Sequence, residues 1–163
     1  MEPKGDFYKL STEDMARIGR VVATFSAYEH ELLRAIIGMH CPNGNLDQAP
    51  EGFLNRFTKI AECGFKQRMK HFSSEYKSRW AEDEFILDFD KQMEYAVKIR
   101  DQFAHGVWGK LSDGNLECVF FSREAIRKGH IEQRMVFDAE GLDFLAKTNI
   151  DNAVRVMKVC GSD

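Results

Sequence analysis

The chain contains little proline, no closely spaced cysteines, no long apolar run and no excess of positive charge. Its four cysteines are far apart in 163 residues, and no two of them form a C-x-x-C pair. With no signal peptide, this spacing predicts reduced thiols in a cytoplasmic protein without a metal site. No apolar run reaches the roughly 18 residues that a membrane-spanning helix needs, so we expect no membrane association.

The balance of charge limits the kinds of ligand that the chain can bind. There are 23 Lys and Arg residues against 26 Asp and Glu residues, a formal net charge of -3. A broad, sequence-independent nucleic-acid surface needs a basic face, so only a local basic pocket is compatible with this balance. At 44% hydrophobic and 30% charged residues, the composition predicts one globular domain over residues 1–163, with a sizeable core.

The spacing of apolar residues predicts four helices. They cover about 12–38, 51–71, 80–104 and 139–159. Ser11 and Thr12 at the start of the first segment, and Asp138 before the last, are expected to cap these helices. Gly64 is the weakest point of the second helix, since glycine lowers helix propensity.

After Gly106 the apolar period changes from about 3.6 to 2, as in strands. Strands are predicted at about 107–111, 116–121 and 132–137, with a turn at 112–115 between the first two. The basic segment 123–130 is interpreted as a solvated loop. The predicted fold class is therefore mainly α, with a small antiparallel hairpin or three-stranded sheet before the C-terminal helix.

Two opposite charges lie on the apolar faces of the first and third helices. Glu29 continues the apolar stripe of the first helix, and Arg100 continues that of the third. A charge on a core-facing stripe needs a partner, so we expect Glu29 and Arg100 to pair.

The third predicted helix ends in Arg100-Asp101, three further residues and then His105. An arginine can hold a phosphate through its planar fork of donors, and a histidine can exchange a proton near neutral pH. Together with Phe25, Tyr28 and Glu29 on the long first helix, this pattern resembles the HEPN-domain family, an up-and-down helical bundle whose signature is Arg, a polar residue, three variable residues and His.

The resemblance implies a homodimer in which two motif helices pack together around one cleft. It implies metal-independent endoribonuclease activity through attack by the RNA 2'-hydroxyl, without a cofactor, in defence or as a toxin that a protein partner or antitoxin restrains. Arg100 would stabilise charge on the phosphate, His105 would transfer protons and Asp101 would orient one of them.

Other interpretations of the same residues stay open. Glu29 is expected to support Arg100 or to form a buried salt bridge, and Trp108 to pack in the core or to stack on an RNA base. An Arg and a His near a helix end also suit ordinary capping. The alternative function is a non-catalytic dimerisation or binding module for a protein or nucleotide.

The Asp, Glu and His side chains that could bind a metal do not form a recognisable metal site. Acidic residues cluster from Glu82 to Asp90, where they suit the start of a helix better than a divalent metal. His30, His40, His71 and His130 lack the spacing of metal ligands and are interpreted as surface residues.

Overall fold

The protein is mainly helical, as predicted. Its structure, a computed structural model, describes residues 6–7, 9–41, 44–121, 127 and 133–159. Within these residues there are five long helices, and a small antiparallel sheet precedes the last of them. The helices are α1 (Thr12–His40), α2 (Phe53–Glu62), α3 (Phe65–Arg79), α4 (Glu84–His105) and α5 (Ala139–Val159). The strands are β1 (Asp6–Phe7), β2 (Val107–Lys110), β3 (Leu116–Phe120) and β4 (Gln133–Phe137).

Helix α1 begins where its capping residues predict. The Asp14 backbone N–H donates to Ser11 Oγ at 3.1 Å, and the Ser11 backbone N–H donates to Asp14 Oδ2 at 3.0 Å. This reciprocal capping box satisfies two N–H groups that a helix start would otherwise leave without partners. The Asp14 carboxylate also accepts from Lys110 Nζ at 2.8 Å, so the start of α1 is joined to β2.

The single helix predicted over 51–71 is wrong, because two helices occupy this region. Cys63 and Gly64 have extended backbones, with ψ of 156° and 164°, and they separate α2 from α3. Ala61 and buried Phe65 flank the break four residues apart, a spacing that a continuous helix would also give. The apolar period therefore conceals the interruption, and Gly64 is its one local sign.

Helices α4 and α5 each begin after an aspartate. Asp83 Oδ1 accepts from the Ile86 backbone N–H at 3.0 Å, so α4 starts at Glu84 and not near residue 80 as predicted. Asp138 Oδ1 accepts from the Gly141 backbone N–H at 2.6 Å, which confirms the predicted cap of α5.

The sheet has the strand order β1-β2-β3-β4, with every neighbouring pair antiparallel. The three strands predicted before the last helix are confirmed to within one residue at each end. Gly114, with φ of 88°, occupies the β2–β3 turn, where only glycine adopts this backbone without strain. The two-residue strand β1 pairs with β2 and was not predicted, since two residues show no alternation.

The chain divides into two compact units. The sheet unit comprises residues 1–25 and 98–149, and its buried residues include Phe25, Ile99 and Leu142. The helical unit comprises residues 26–97 and 150–163, and its buried residues include Leu32, Phe72 and Val156. Among the described residues, no helix combines the length and the apolar character needed to span a membrane.

Candidate functional site

The motif residues Arg100, Asp101 and His105 occupy the last two turns of α4, in the sheet unit. The Arg100 side chain is 29% exposed and that of Asp101 is 44% exposed. Arg100 Nη1 lies 3.4 Å from Asp101 Oδ1, which is long for a charge-assisted hydrogen bond. Asp101 is therefore a weak partner of Arg100.

His105 is the last residue of α4, and its side chain is exposed. Its position at the helix C-terminus places it beside the last carbonyl groups, which carry negative partial charge. Five residues of helix separate Arg100 from His105 by roughly 140° around the axis and roughly 7.5 Å along it. The two side chains therefore leave the helix on different faces.

Gly106 holds the end of the motif helix against the sheet. Its backbone N–H donates to the Gln102 carbonyl at 2.7 Å, and the Cys118 thiol of β3 contacts the same carbonyl oxygen at 3.5 Å. A Cβ on residue 106 would collide with Cys118 Sγ and would lie 2.5 Å from the Gln102 oxygen. Gly106 is not among the glycines with positive φ, so the position needs glycine for space and not for a left-handed cap.

Cys118 contributes to this packing as a neutral group. The thiol is buried, and burial raises its pKa to about 12. A thiol that stays protonated behaves as a small apolar side chain, without the reactivity of a thiolate. Its role beneath Gly106 is therefore to fill space where α4 leads into β2.

Gln102 is a residue of the motif segment that the sequence interpretation missed. It is completely buried, and neither its amide oxygen nor its amide nitrogen has a hydrogen-bond partner among the described residues. The signal was present in the sequence, since Gln102 follows Ile99 by three residues and therefore shares its core-facing side. A buried amide without hydrogen-bond partners costs stability.

Trp108 lies in an aromatic group with Phe103 and Phe137. The ring centroids are 4.8 Å apart for Phe103 and Trp108, and 5.7 Å apart for Trp108 and Phe137. Trp108 is only 9% exposed, and its buried Nε1 has no hydrogen-bond partner in the described part of the chain. This environment favours the packing role, and stacking on a base would require the ring to become more exposed.

Glu29 has a partner within the helical unit. Its Oε2 accepts from Arg68 Nη1 at 2.8 Å, and Arg68 Nη2 donates to the Ala61 carbonyl at 2.7 Å. The need of Glu29 for a cation is thus met at least in part by Arg68. The expected pair of Glu29 with Arg100 joins residues of different units and stays a prediction.

Four of the five acidic residues from Glu82 to Asp90 are engaged in capping or ion pairs. The Tyr76 hydroxyl donates to Asp83 at 2.5 Å and thereby lowers the pKa of that carboxyl. Lys77 Nζ lies 2.7 Å from Asp90, and Arg155 Nη1 lies 3.0 Å from Asp88. No group of three or more potential metal ligands occurs in the part of the chain that the structure describes.

The other histidines were predicted to lie on the surface, and this prediction is wrong for His40. His30 is exposed as predicted, but the His40 side chain is only 11% exposed and contacts charged groups from two other helices. His130 and nearly all of the basic segment 123–130 lie outside the described residues. Comparison with protein-family models, curated protein sequences and solved structures finds no match to this chain.

Proposed function

We propose that the protein is a metal-independent endoribonuclease of the HEPN type, with Arg100 and His105 as its catalytic residues. The observation that carries this proposal is the placement of both motif side chains at the end of one helix, with His105 exposed and Arg100 partly exposed. The close packing at Gly106 supports it, because a proton-transfer group is effective only when its position is defined.

The proposed reaction needs only these side chains and the RNA. The 2'-hydroxyl attacks the adjacent phosphorus, the bond from phosphorus to the 5'-oxygen breaks, and the products are a 2',3'-cyclic phosphate and a 5'-hydroxyl. One group removes the proton from the 2'-oxygen and another donates a proton to the 5'-oxygen; His105 is suited to either transfer. The Arg100 guanidinium would bind the phosphate oxygens and stabilise their growing charge.

A homodimer is part of the proposal. Arg100 and His105 of one helix diverge by roughly 140°, so one chain does not aim both groups at the same phosphate from the same helical face. A second copy packed against the motif helix would bring an Arg100 and a His105 from different chains to one cleft. Asp101 would orient Arg100.

The proposed biological setting is cytoplasmic defence or a toxin–antitoxin pair, in which a protein partner restrains the nuclease. The formal net charge of -3 is compatible with an enzyme whose positive potential is confined to the cleft. Trp108 is assigned to the packing beneath this cleft, since its ring is mostly buried.

The test is RNA cleavage by purified protein in EDTA, compared with Arg100→Ala and His105→Ala variants. We expect His105→Ala to reduce the rate by about 10² to 10⁴-fold, as for loss of a general acid or base. We expect Arg100→Ala to reduce the cleavage rate by about 10² to 10³-fold, as for loss of one donor that stabilises charge in the transition state. Cyclic-phosphate ends on the wild-type products would identify the 2'-hydroxyl as the nucleophile.

Matched controls are Arg34→Ala and His30→Ala, which remove exposed side chains of the same types from α1. Thermal unfolding and sedimentation would verify that each variant keeps its fold and oligomeric state. Equal cleavage by wild type and both motif variants would refute the assignment. Absence of wild-type cleavage on a broad RNA panel would favour the non-catalytic binding module.

A further inference from the structure

A polar cluster in the helical unit combines a histidine, a glutamate and two arginines from three helices. We call His40, Arg56, Glu75 and Arg79 the His40 cluster. His40 Nε2 lies 2.7 Å from Glu75 Oε2, and His40 Nδ1 lies 2.9 Å from an Arg79 Nη2 donor. Arg56 Nη2 lies 3.2 Å from Glu75 Oε1 and 3.0 Å from His40 Nε2. Both arginines therefore converge on one imidazole.

The hydrogen bonds determine the form of the imidazole. An arginine guanidinium can only donate, so His40 Nδ1 accepts from Arg79 and carries no proton. The proton of the neutral ring is then on Nε2, which donates to Glu75. Arg56 also points a donor toward this N–H group, and two donors do not form a hydrogen bond. The favourable interaction of Arg56 in the cluster is therefore its ion pair with Glu75.

The cluster has more positive charge than its own carboxylate neutralises. Arg56 and Arg79 supply two guanidinium groups, whereas Glu75 supplies one carboxylate. In the described part of the chain, Arg79 has His40 as its partner and no carboxylate within ion-pairing distance. The Arg56 side chain is 51% exposed and Arg79 is also exposed, so both keep donors that a ligand from solvent can reach.

The base of the cluster is held in place by packing. The side chains of His40 and Glu75 are 11% and 13% exposed, and the Phe53 ring lies 4.6 Å from the imidazole, centroid to centroid. Arg56 lies over the same phenyl ring at 5.8 Å. A ligand would therefore meet two arginines whose inner contacts are already formed, which lowers the entropy cost of binding.

We propose that the His40 cluster binds a phosphate group between Arg56 and Arg79. A phosphate presents several oxygens in different directions and can accept from two guanidinium forks on separate helices. Its charge would offset the unneutralised positive charge of the cluster. This inference does not rest on the nuclease function, because it concerns a different unit and different residues.

The competing explanation is that Arg79 only complements the end of a helix. Arg79 is the last residue of α3, where a positive charge interacts favourably with the terminal carbonyl groups. In that case substitutions in the cluster would alter stability and leave phosphate affinity unchanged. The experiment must therefore measure binding and not stability alone.

Titration calorimetry of the full chain with inorganic phosphate tests the proposal. We expect measurable binding by wild type and about ten-fold or greater weakening in Arg56→Gln and in Arg79→Gln, since each removes charge-assisted hydrogen bonds. Arg34→Gln is the matched control, because it removes one exposed guanidinium from the same unit and should leave phosphate affinity unchanged.

A gain of affinity separates a binding site from a damaged fold. Glu75→Gln keeps the shape of the side chain and removes the internal anion, so we expect it to tighten phosphate binding several-fold. Loss of folding cannot produce that result. Lack of phosphate binding by wild type, or equal affinity in wild type and both arginine variants, would overturn the proposal.

The source of the phosphate is distinguished by two further ligands. A 5'-mononucleotide and a single-stranded RNA without terminal phosphates are titrated into His105→Ala protein, with and without Arg79→Gln. If RNA is the source, Arg79→Gln weakens RNA binding and reduces its salt dependence by about one ion. If a free phosphate is the source, Arg79→Gln weakens mononucleotide binding and leaves RNA affinity unchanged. Either pattern supports the site.

Discussion

The end of the motif helix and the His40 cluster both contain an arginine and a histidine, but they are built in different ways. The motif residues follow one another on α4, and tight backbone packing at Gly106 holds the end of that helix. The His40 cluster draws its side chains from α1, α2 and α3, and charged contacts connect them. Spacing along the chain can reveal the first kind of site, whereas the second exists only after folding.

The largest expected effect tests the packing that holds the motif helix. Gly106→Ala places a Cβ against Cys118 Sγ and the Gln102 carbonyl, so we expect a loss of about 2 to 4 kcal/mol in unfolding free energy. Urea denaturation followed by circular dichroism gives the value. If the motif helix acts in cleavage, the RNA cleavage rate should fall as well.

Gly64→Ala is the matched control for that substitution. Nothing lies within 4 Å of a Cβ at Gly64, which is outside the left-handed region with φ of -70°. We expect its unfolding free energy to change by at most about 1 kcal/mol. Similar losses in the two glycine variants would contradict the idea that Gly106 is required for space.

The next effect compares the two histidines directly. His40→Ala removes a mostly buried ring with contacts to Glu75, Arg79 and Phe53. We therefore expect it to lower the unfolding free energy by about 1 to 3 kcal/mol. His105→Ala removes an exposed ring and should change the unfolding free energy by about 0.5 kcal/mol or less. The reverse order of stability would show that His105 has packing contacts that its exposure does not indicate.

The smallest effect concerns pH and the ion pair that joins α1 to β2. The hydrogen bond from Lys110, together with those from Ser11, lowers the pKa of Asp14 to about 2 from its ordinary value of 3.8. Because the folded-state pKa is the lower one, the stabilisation is complete above pH 3.8 and is lost as the pH falls toward 2. We expect the pair to contribute about 1 to 2 kcal/mol to the free energy of unfolding at pH 6. The contribution is limited because Lys110 is partly exposed and the pair is partly screened.

Asp14→Asn measures this contribution. The difference in unfolding free energy between wild type and variant should be largest at pH 6 and should shrink between pH 4 and pH 2.5. Asp151→Asn, at an exposed position of α5, is the control and should show a much smaller difference at every pH. A constant difference for Asp14→Asn across this range would mean that the carboxylate charge does not stabilise the fold.

The sequence predicts regular structure best where the signals are local. Ser11 and Asp138 cap the helices that they were expected to cap, and the change of apolar period at Gly106 locates the sheet. The break at Cys63 and Gly64 was missed because Ala61 and Phe65 maintain helical spacing across it. The start of α4 was placed about four residues early, because the capping role of Asp83 was not recognised.

The candidate site was predicted less completely than the fold. The motif spacing predicted Arg100 and His105 as site residues, and their role stays a prediction. The structure shows that the Arg100 side chain is partly exposed and that of His105 is exposed. The sequence interpretation did not recognise that Gln102 is buried, although its helical spacing from Ile99 indicates a core-facing side chain. No pattern in the sequence indicates that Arg68 pairs with Glu29, since the two residues are 39 positions apart.

The amino-acid sequence by itself determined the caps of the first and last helices, the three alternating strands and the short motif, because each depends on neighbours within a few residues. The tertiary structure alone decided the partner found for Glu29, the need for glycine at position 106 and the assembly of the His40 cluster. These features depend on distances between residues that are remote in the chain, and such distances are defined only when the elements pack.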